Sequence, residues 1–316
     1  MKAIRSVILG MVFFVSCLPL PAVSAPLPAT VRSGFQVPIL LYHRFGPTVT
    51  DSMTVTDKVF ESQLSFLRTN GYRVIPLQRL VNSYLGKAPA PPRSSVVIVA
   101  DDGHLSVYTD MQPLVKKYKV PVTLFIYPSA ISNAKYAMTW QQLRELKKGG
   151  LFDIQSHTYW HPNFGKEKKK LKPAEYDRFV DLQFRKSKEK LEKELGGPVD
   201  MLAWPFGLPP DRSLVEKAER DGYKVGFTIV RHPVSSMDTP MLLPRFLIVN
   251  ADQGMRFARI LETNREGSGS AQASSGSKLN PKSPVLARKG NSVCLPAGSS
   301  LLKSHSRRSS KAPWRS

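Results

Sequence analysis

The middle of the chain alternates short apolar runs with longer segments of helical periodicity. The apolar runs predict strands at 37–42, 96–100, 122–127, 152–155, 201–204, 224–229 and 242–248. Amphipathic segments between them predict helices at 57–69, 106–118, 139–148, 173–195 and 211–221. Regular alternation of strand and helix predicts an α/β fold with a largely parallel sheet. In such folds functional residues gather at the carboxyl ends of the strands.

The start of the chain has a different character. Lys2 and Arg5 precede an apolar run at 7–15, and proline and small residues follow it. This order is typical of a secretory signal peptide, which we place at residues 1–25. We therefore expect an exported protein, periplasmic or extracellular. A retained N-terminal anchor is the alternative, and Cys17, in a loose match to a bacterial lipobox, leaves lipid anchoring open.

The end of the chain is rich in Ser, Gly, Lys and Pro. Residues 263–316 carry ten basic residues and one acidic residue, within a net charge of +22 for the whole chain. This composition cannot bury a core, so it predicts a disordered basic tail after a folded domain at 26–262. The tail's charge suits contact with an anionic envelope surface, although a solvated tail without a partner fits as well. Charge alone suggests nucleic acid, and the signal peptide opposes it, so we expect no nucleic-acid partner.

Two carboxylates follow the strand predicted at 96–100, in the sequence Asp101-Asp102-Gly103. Adjacent carboxylates raise each other's pKa unless a cation lies between them. Asp-Gly pairs also favour turns, so this motif alone is as well explained by a turn.

Two of the six histidines follow the strand predicted at 152–155. We expect His157 and His161, four residues apart, to share one face of a helical turn. Neutral imidazoles are good zinc ligands, although two surface histidines are the simpler explanation of this spacing alone. Two His and one Asp form a plausible facial set for a metal, and a second Asp can then act as base toward water.

Two other strand ends carry candidate residues. The strand at 37–42 leads to His43, which is either functional or a buried core histidine. The strand at 201–204 leads into Trp204-Pro205-Phe206-Gly207, whose backbone either lines a pocket or forms an ordinary turn. Trp160, between the two histidines of the preceding motif, suits stacking on a sugar ring or packing in the core.

Together the aspartate and histidine motifs resemble those of the NodB-homology polysaccharide deacetylases, carbohydrate esterase family 4, over about residues 36–250. The resemblance implies a distorted (β/α) barrel and metal-dependent hydrolysis of N-acetyl groups on an amino-sugar polysaccharide of the cell envelope or matrix. It makes Asp101 the general base. It makes Asp102, His157 and His161 the ligands of one divalent metal, zinc by preference, with cobalt or nickel as alternatives.

The same resemblance assigns the remaining roles. The backbone N–H of Phe206 helps to bind the oxyanion. Apart from the resemblance, Trp160, Tyr42 and Trp204 are aromatic candidates for contact with the acetylated polysaccharide. Many members have an Arg two residues before the motif's Pro, where this chain has Ala203, so that assistance is absent or replaced.

The catalytic acid of the family is a histidine, usually near the C-terminus. Leu40-Leu41-Tyr42-His43 is similar to the arrangement in circularly permuted members, including those acting on poly-β-1,6-N-acetylglucosamine. We therefore expect His43 to be the acid, with His232 as the alternative. Two other functions remain open: an O-acetyl esterase acting on a plant or bacterial glycan, and a non-catalytic carbohydrate-binding protein of the same fold.

Overall fold

The computed structural model describes residues 34–208 and 210–262, and it consists of strands connected mostly by helices. The strands are β1 (Gln36–Val37), β2 (Ile39–Tyr42), β3 (Arg44–Gly46), β4 (Thr54–Thr56), β5 (Arg73–Val74), β6 (Ser95–Asp101), β7 (Val122–Ile126), β8 (Phe152–Ser156), β9 (Met201–Ala203), β10 (Val225–Phe227), β11 (Val234–Ser235) and β12 (Phe246–Leu247).

Most of the helices match the segments predicted from the sequence. The helices are α1 (Asp57–Thr69), α2 (Leu77–Tyr84), α3 (Gln112–Tyr118), α4 (Trp140–Lys148), α5 (Phe164–Lys168), α6 (Pro173–Asp181), α7 (Ser187–Leu195), α8 (Arg212–Arg220) and α9 (Met255–Glu262). Of these, α2, α5 and α9 are additional to the predicted segments. A π-helical turn, Val107–Met111, leads into α3, and another, Leu182–Lys186, joins α6 to α7. Local chemistry fixes some of the ends: Thr139 caps α4 in a capping box with Gln142.

The main sheet is parallel in every recorded pairing. Its strand order is β10-β9-β8-β7-β6-β2-β12, with β5 paired to β6. The first strand of this sheet, β2, therefore lies beside the last one, β12. The segment around β12 also reaches the opposite edge, where Leu243 forms a parallel bridge with Phe227 of β10. The sheet is thus curled into the expected distorted barrel.

Successive residues of each strand alternate between two hydrophobic clusters. Ile39, Leu41, Val97 and Val99 belong to a smaller cluster that also takes residues from β7, β9, β10 and α2. Leu40, Tyr42, Ile98 and Ala100 belong to a larger cluster with α1, α3, α4 and α6 to α9. Because the smaller cluster collects residues from strands at both ends of the curled sheet, it fills the inside. Asp101 continues the alternation of Val97 and Val99, and His43 continues that of Ile39 and Leu41. Both side chains therefore lie on the inner side of the sheet, at the carboxyl ends of their strands.

The predicted signal peptide and tail lie outside the described residues. Within the described part of the chain, no helix is long and apolar enough to cross a bilayer.

Candidate active site

The two carboxylates lie where β6 ends at the rim of the curled sheet. Asp101 is the last residue of β6 and is 2% exposed, while Asp102 has a φ of 74° and turns the chain sharply. Gly103 continues this left-handed turn with a φ of 76°, and a Cβ there would lie 2.9 Å from Ile126 Cδ1. The Asp-Gly turn therefore exists, and it serves to direct both carboxylates into one site.

The two histidines converge through a loop, so the expectation of a helical turn is wrong. Thr158 and His161 have φ values of 65° and 57°, and these left-handed residues fold the loop after β8 back on itself. The imidazole rings of His157 and His161 meet edge to face, with centroids 4.5 Å apart. The Thr158 hydroxyl accepts a hydrogen bond from the His161 backbone N–H, and the Ser156 hydroxyl accepts one from Thr158.

A buried hydroxyl network holds this loop from below. The Ser156 and Ser187 hydroxyls are 2.8 Å apart, and Ser187 also donates to the carbonyl of Thr158. Tyr223 donates its phenolic proton to Ser156. From the adjoining π-helical turn, Gln183 accepts the backbone N–H of Trp160 at 2.8 Å. The loop that carries His157 and His161 is thus held by the side chains of Ser187, Gln183 and Tyr223. It has no helical hydrogen bonds of its own among those described.

Asp102, His157 and His161 form a cluster with the chemistry of a metal site. One candidate ligand atom from each lies within 4.8 Å of the others, and both imidazole Nε2 atoms face Asp102 Oδ1, at 3.6 Å and 3.8 Å. His157 Nδ1 lies 2.8 Å from the carbonyl of Ala203 and donates to it, which leaves the Nε2 lone pair toward the cluster. Burial lowers the pKa of His157 to about 3, so its ring is neutral near pH 7. The donor set therefore fits a zinc-like ion.

Asp101 has a cationic partner that the sequence did not reveal. Arg245, which is fully buried, donates from Nη1 to Asp101 Oδ1 at 2.8 Å and from Nε to the carbonyl of Thr228 at 3.0 Å. Burial by itself would raise the pKa of Asp101, but the charge and the hydrogen bond of Arg245 act in the opposite direction, and the net effect lowers that pKa below 3.8. Arg245, from the segment just before β12, therefore supplies the arginine beside Asp101 that Ala203 cannot supply.

His43 lies at the end of β2, beside the strand that carries the carboxylates. Its Nδ1 is buried, and within 34–208 and 210–262 it has no hydrogen-bond partner. Burial lowers the pKa of His43, while the charges of Asp101 and Asp102 act in the opposite direction. His43 therefore lies within electrostatic reach of both carboxylates.

The alternative acid, His232, lies elsewhere. Its ring is 47% exposed, and its recorded partners are the carbonyl of Pro233 and the carboxylate of Asp238. Neither partner belongs to the cluster of carboxylates and histidines.

Of the aromatic candidates, two are in the core and two are at the surface. Tyr42 is 1% exposed and donates to Gln63, and Trp204 is 1% exposed and donates to the carbonyl of Met241. Both rings are thus almost entirely covered by neighbouring residues, and their contact with substrate stays a prediction. Trp160 is 49% exposed, and Phe206 is 51% exposed with its ring 4.6 Å from that of His161.

The arrangement brings together groups suited to hydrolysis. A carboxylate kept ionised by a buried arginine can accept a proton from water. The neighbouring Asp and two neutral imidazoles can hold a divalent ion, and a histidine on the adjacent strand can exchange a proton with a leaving group. These are the parts expected of a metal-dependent hydrolase.

Comparison of the sequence with known families and proteins gives a consistent result. Residues 88–226 match the polysaccharide deacetylase family. A poly-β-1,6-N-acetyl-D-glucosamine N-deacetylase from Staphylococcus aureus strain MRSA252 is 30% identical over 203 residues, covering 62% of this chain and 68% of the relative. The enzyme of the same name from Staphylococcus epidermidis is 28% identical over 208 residues, with the same coverage of both chains.

Solved structures agree on the fold. The structure of IcaB from Ammonifex degensii superimposes with a TM-score of 0.62 at 25% identity, covering 72% of this chain and 97% of that one. The Streptococcus pyogenes deacetylase PplD gives a TM-score of 0.64 at 22% identity, covering 73% of this chain and all of the other. The chain therefore belongs to the polysaccharide deacetylase family.

Proposed function

We propose that the protein deacetylates N-acetylglucosamine units of a β-1,6-linked polysaccharide in the cell envelope or matrix. The observation that carries the proposal is the cluster of Asp102, His157 and His161 beside a buried, arginine-paired Asp101. The substrate class is supported by the names of the Staphylococcus relatives, which specify both the linkage and the N-acetyl group. Those names favour N-deacetylation over the alternative of an O-acetyl esterase.

In the proposed mechanism, Asp102, His157 and His161 would hold a zinc-like ion, which would supply Lewis acidity toward water and the acetyl carbonyl. Asp101 accepts the proton of the attacking water, and Arg245 keeps its carboxylate ionised until then. The backbone N–H of Phe206 donates to the oxyanion.

The departing amine nitrogen needs a proton, because an amide anion is a poor leaving group. His43 donates that proton from its imidazolium form, which the charges of Asp101 and Asp102 favour although burial opposes it. His43 and Asp101 follow one another across neighbouring strands. The acid and the base can therefore act on the same acetamido group of the substrate.

The test is acetate release from a panel of acetylated glycans by purified protein. The panel contains β-1,6-linked N-acetylglucosamine oligomers, β-1,4-linked oligomers and acetylated xylan. We expect acetate from the β-1,6-linked oligomers, loss of activity on chelation, and recovery when zinc, cobalt or nickel is returned. His161→Ala is the inactive control, and Met237→Ala, at an 88% exposed site, is the control for unchanged activity. Acetate from xylan alone would overturn the proposal in favour of an O-acetyl esterase.

We also propose that the protein is exported. The basic start and apolar run at 1–25 support this, as does a substrate of the envelope or matrix. Fractionation of the native host should place the mature protein outside the cytoplasm, shortened by roughly 20–30 residues, the usual length of a signal peptide. Retention of the tail at 263–316 in that mature protein would allow its proposed contact with an anionic surface to be tested with anionic vesicles.

A further inference from the structure

A cavity of about 340 Å³ opens beside the candidate metal cluster, and four of its five lining residues have no role in the mechanism above. It is lined by Arg44, Asp102, His104, Tyr127 and Tyr136, and we call it the Tyr136 cavity. Its volume lies at the low end of the roughly 300–1,000 Å³ typical of small-molecule sites, which suits one sugar ring better than a chain.

The Tyr136 cavity is continuous with the reacting centre. Asp102 belongs both to the cavity wall and to the metal cluster. The ring of Tyr127 lies 5.4 Å from that of His161. A ring bound in the cavity would therefore lie directly beside the metal cluster.

The walls of the cavity are held in place by the backbone. Leu105 donates its N–H to the carbonyl of Tyr136 at 2.7 Å, and Met138 donates to the carbonyl of Gly103 at 3.0 Å. These bonds tie the turn between β7 and α4 to the loop that carries Asp102. The cavity is thus part of the same rigid frame as the catalytic carboxylates.

The partly exposed ring of Tyr136, stacked on His104, suits contact with a sugar. The rings of His104 and Tyr136 are nearly parallel, at 12°, with centroids 6.2 Å apart, and Tyr136 is 46% exposed. Aromatic faces pack on the apolar C–H faces of sugar rings, and the two tyrosines add a polar edge. The hydroxyls of Tyr127 and Tyr136 are 2.6 Å apart, so one donates to the other and one proton remains to be donated.

The polar groups at the cavity favour an acceptor over a cation. The Arg44 side chain lines the cavity and is 38% exposed, and its guanidinium pairs with Asp51 through Nη1, which uses only part of its five N–H donors. An acetamido carbonyl can accept from such donors, whereas an ammonium group has three donors and no acceptor. Asp102 is the one carboxylate of the cavity wall, and the proposed function commits it to the metal.

We propose that the Tyr136 cavity is a sugar subsite that binds an intact N-acetylhexosamine ring adjacent to the unit being deacetylated. This proposal rests on the proposed function. The protein then acts more efficiently on an acetylated unit with acetylated neighbours than on the same unit between free amines.

The experiment uses two β-1,6-linked trisaccharides whose central N-acetylglucosamine carries an isotopically labelled acetyl group. Both flanking rings are N-acetylated in one trisaccharide, and both carry free amines in the other. The comparison therefore holds whichever flanking ring enters the cavity. We expect kcat/KM for release of the central label to be about three- to tenfold higher with acetylated flanks, the effect of one or two net hydrogen bonds. Equal values, or preference for amine flanks, would overturn the proposal.

Variants assign any preference to the cavity. Tyr136→Ala should raise KM for the triacetylated substrate roughly three- to tenfold through loss of an aromatic contact, and Tyr136→Trp should restore it. Arg44→Met should reduce the discrimination between the two trisaccharides. Tyr108→Phe is the matched control, since the hydroxyl of Tyr108 bonds Glu145 away from the cavity. Unaltered KM and discrimination in both Tyr136→Ala and Arg44→Met would overturn the assignment.

Binding without turnover separates this proposal from the proposed function. Asp101→Asn protein loaded with zinc should bind the triacetylated trisaccharide more tightly than the amine-flanked one in calorimetry, and Tyr136→Ala in that background should remove the difference. Absence of acetate release by the wild type from every glycan would overturn the proposed function, whereas equal binding of both trisaccharides would overturn the subsite alone.

Discussion

At the scale of single residues, the site depends on how one buried carboxylate is kept ionised. Asp101 is 2% exposed, and an isolated buried carboxylate takes up a proton rather than remain charged. Arg245 prevents this by donating directly to it inside the barrel. The partner could not be found from sequence, because the two residues are 144 positions apart and nothing local to either marks the contact.

Replacement of Arg245 should therefore change the pH dependence of activity. Removing the cation raises the pKa of Asp101, so the base becomes protonated at higher pH. In Arg245→Gln we expect the acidic limb of the kcat/KM profile to move upward by about one pH unit or more, since one unit corresponds to roughly 1.4 kcal/mol of lost interaction. Arg245→Lys, which keeps the charge, should shift the limb less. An unmoved limb in Arg245→Gln would show that Arg245 does not tune the base.

Metal content should separate the catalytic from the coordinating residues. Asp101→Asn and His43→Ala should keep one equivalent of metal while kcat falls by a factor on the order of 10²–10⁴, the usual effect of losing a positioned base or acid. His157→Ala and His161→Ala should lose metal and activity together. Elemental analysis and acetate release on the same preparations provide the measurement.

His232→Ala is the control for the assignment of the acid. It should leave turnover of an N-acetylated substrate near normal, because its ring faces Asp238 outside the cluster. Near-normal turnover in His43→Ala together with loss in His232→Ala would reverse the assignment.

At the scale of elements, periodicity predicted the sheet and most helices well. The helix predicted at 57–69 has those bounds, and the one predicted at 173–195 is continuous apart from the π-helical turn in its middle. The strand predicted at 242–248 is reduced to Phe246–Leu247, because a 3₁₀ turn, Pro240–Leu242, and then Pro244 interrupt it.

Helix α2 was missed although its signal is present. Leu77, Leu80, Val81 and Tyr84 recur at helical spacing and are buried on one face. The loop of left-handed residues after β8 was predicted as a helical turn, because spacing alone cannot distinguish two ways of bringing positions i and i+4 together. The burial of Tyr42 and Trp204 likewise follows from tertiary packing. The presence of an aromatic residue in the sequence does not show whether it is buried.

The turn after β9 requires glycine for two separate reasons. Gly207 has a φ of 62°, and a Cβ there would lie 2.4 Å from Ile229 Cγ2 and 2.8 Å from Ile229 Cβ. The second atom is fixed to the backbone, so rotation of the isoleucine side chain cannot remove the overlap. The turn that carries Phe206 therefore fits closely against Ile229, two residues after the end of β10.

Gly207→Ala should lower the free energy of unfolding by about 3 kcal/mol, combining left-handed strain of roughly 1–2 kcal/mol with overpacking of roughly 1–3 kcal/mol. Gly71→Ala is the matched control: its φ is 71°, but no atom lies within 4 Å of the added Cβ, so only the strain of roughly 1–2 kcal/mol applies. Urea unfolding of both variants measures the difference. Equal destabilisation would show that the overlap with Ile229 is relieved by movement of the turn.

At the scale of the whole molecule, the site depends on curling of the sheet. The segment near Leu243 pairs with β10, and β12 a few residues later pairs with β2 at the other edge. Arg245 lies between these two pairings, and β2 carries His43 into place beside β6. The first strand of the sheet can therefore supply the acid because the last strand holds it there, which sequence order alone does not show.

Because these strand ends meet inside the curled sheet, the metal-free protein has three largely buried imidazoles that resist protonation. Burial lowers the pKa of His157 to about 3, and it lowers the pKa of His43 and His161 as well. Asp102 acts in the opposite direction, because burial raises its pKa above 3.8. The lowered pKa of Asp101 contributes stability that is lost only as the pH falls below about 3.8.

The histidines should therefore make the metal-free protein less stable as the pH falls below about 6.5. In that range the imidazoles of the unfolded chain take up protons while those of the folded chain do not, so acid favours unfolding. His157 alone should cost about 2 kcal/mol between pH 7.5 and 5.0, from a folded pKa of about 3 against an ordinary value of 6.5. Urea unfolding in the presence of a chelator at the two pH values measures this. His157→Gln should lose about that share of the pH dependence, and wild-type stability that is equal at pH 7.5 and 5.0 would contradict neutral, buried imidazoles. Added zinc should stabilise the protein more at pH 7.5 than at 5.0, because the metal competes with protons for the same nitrogen atoms.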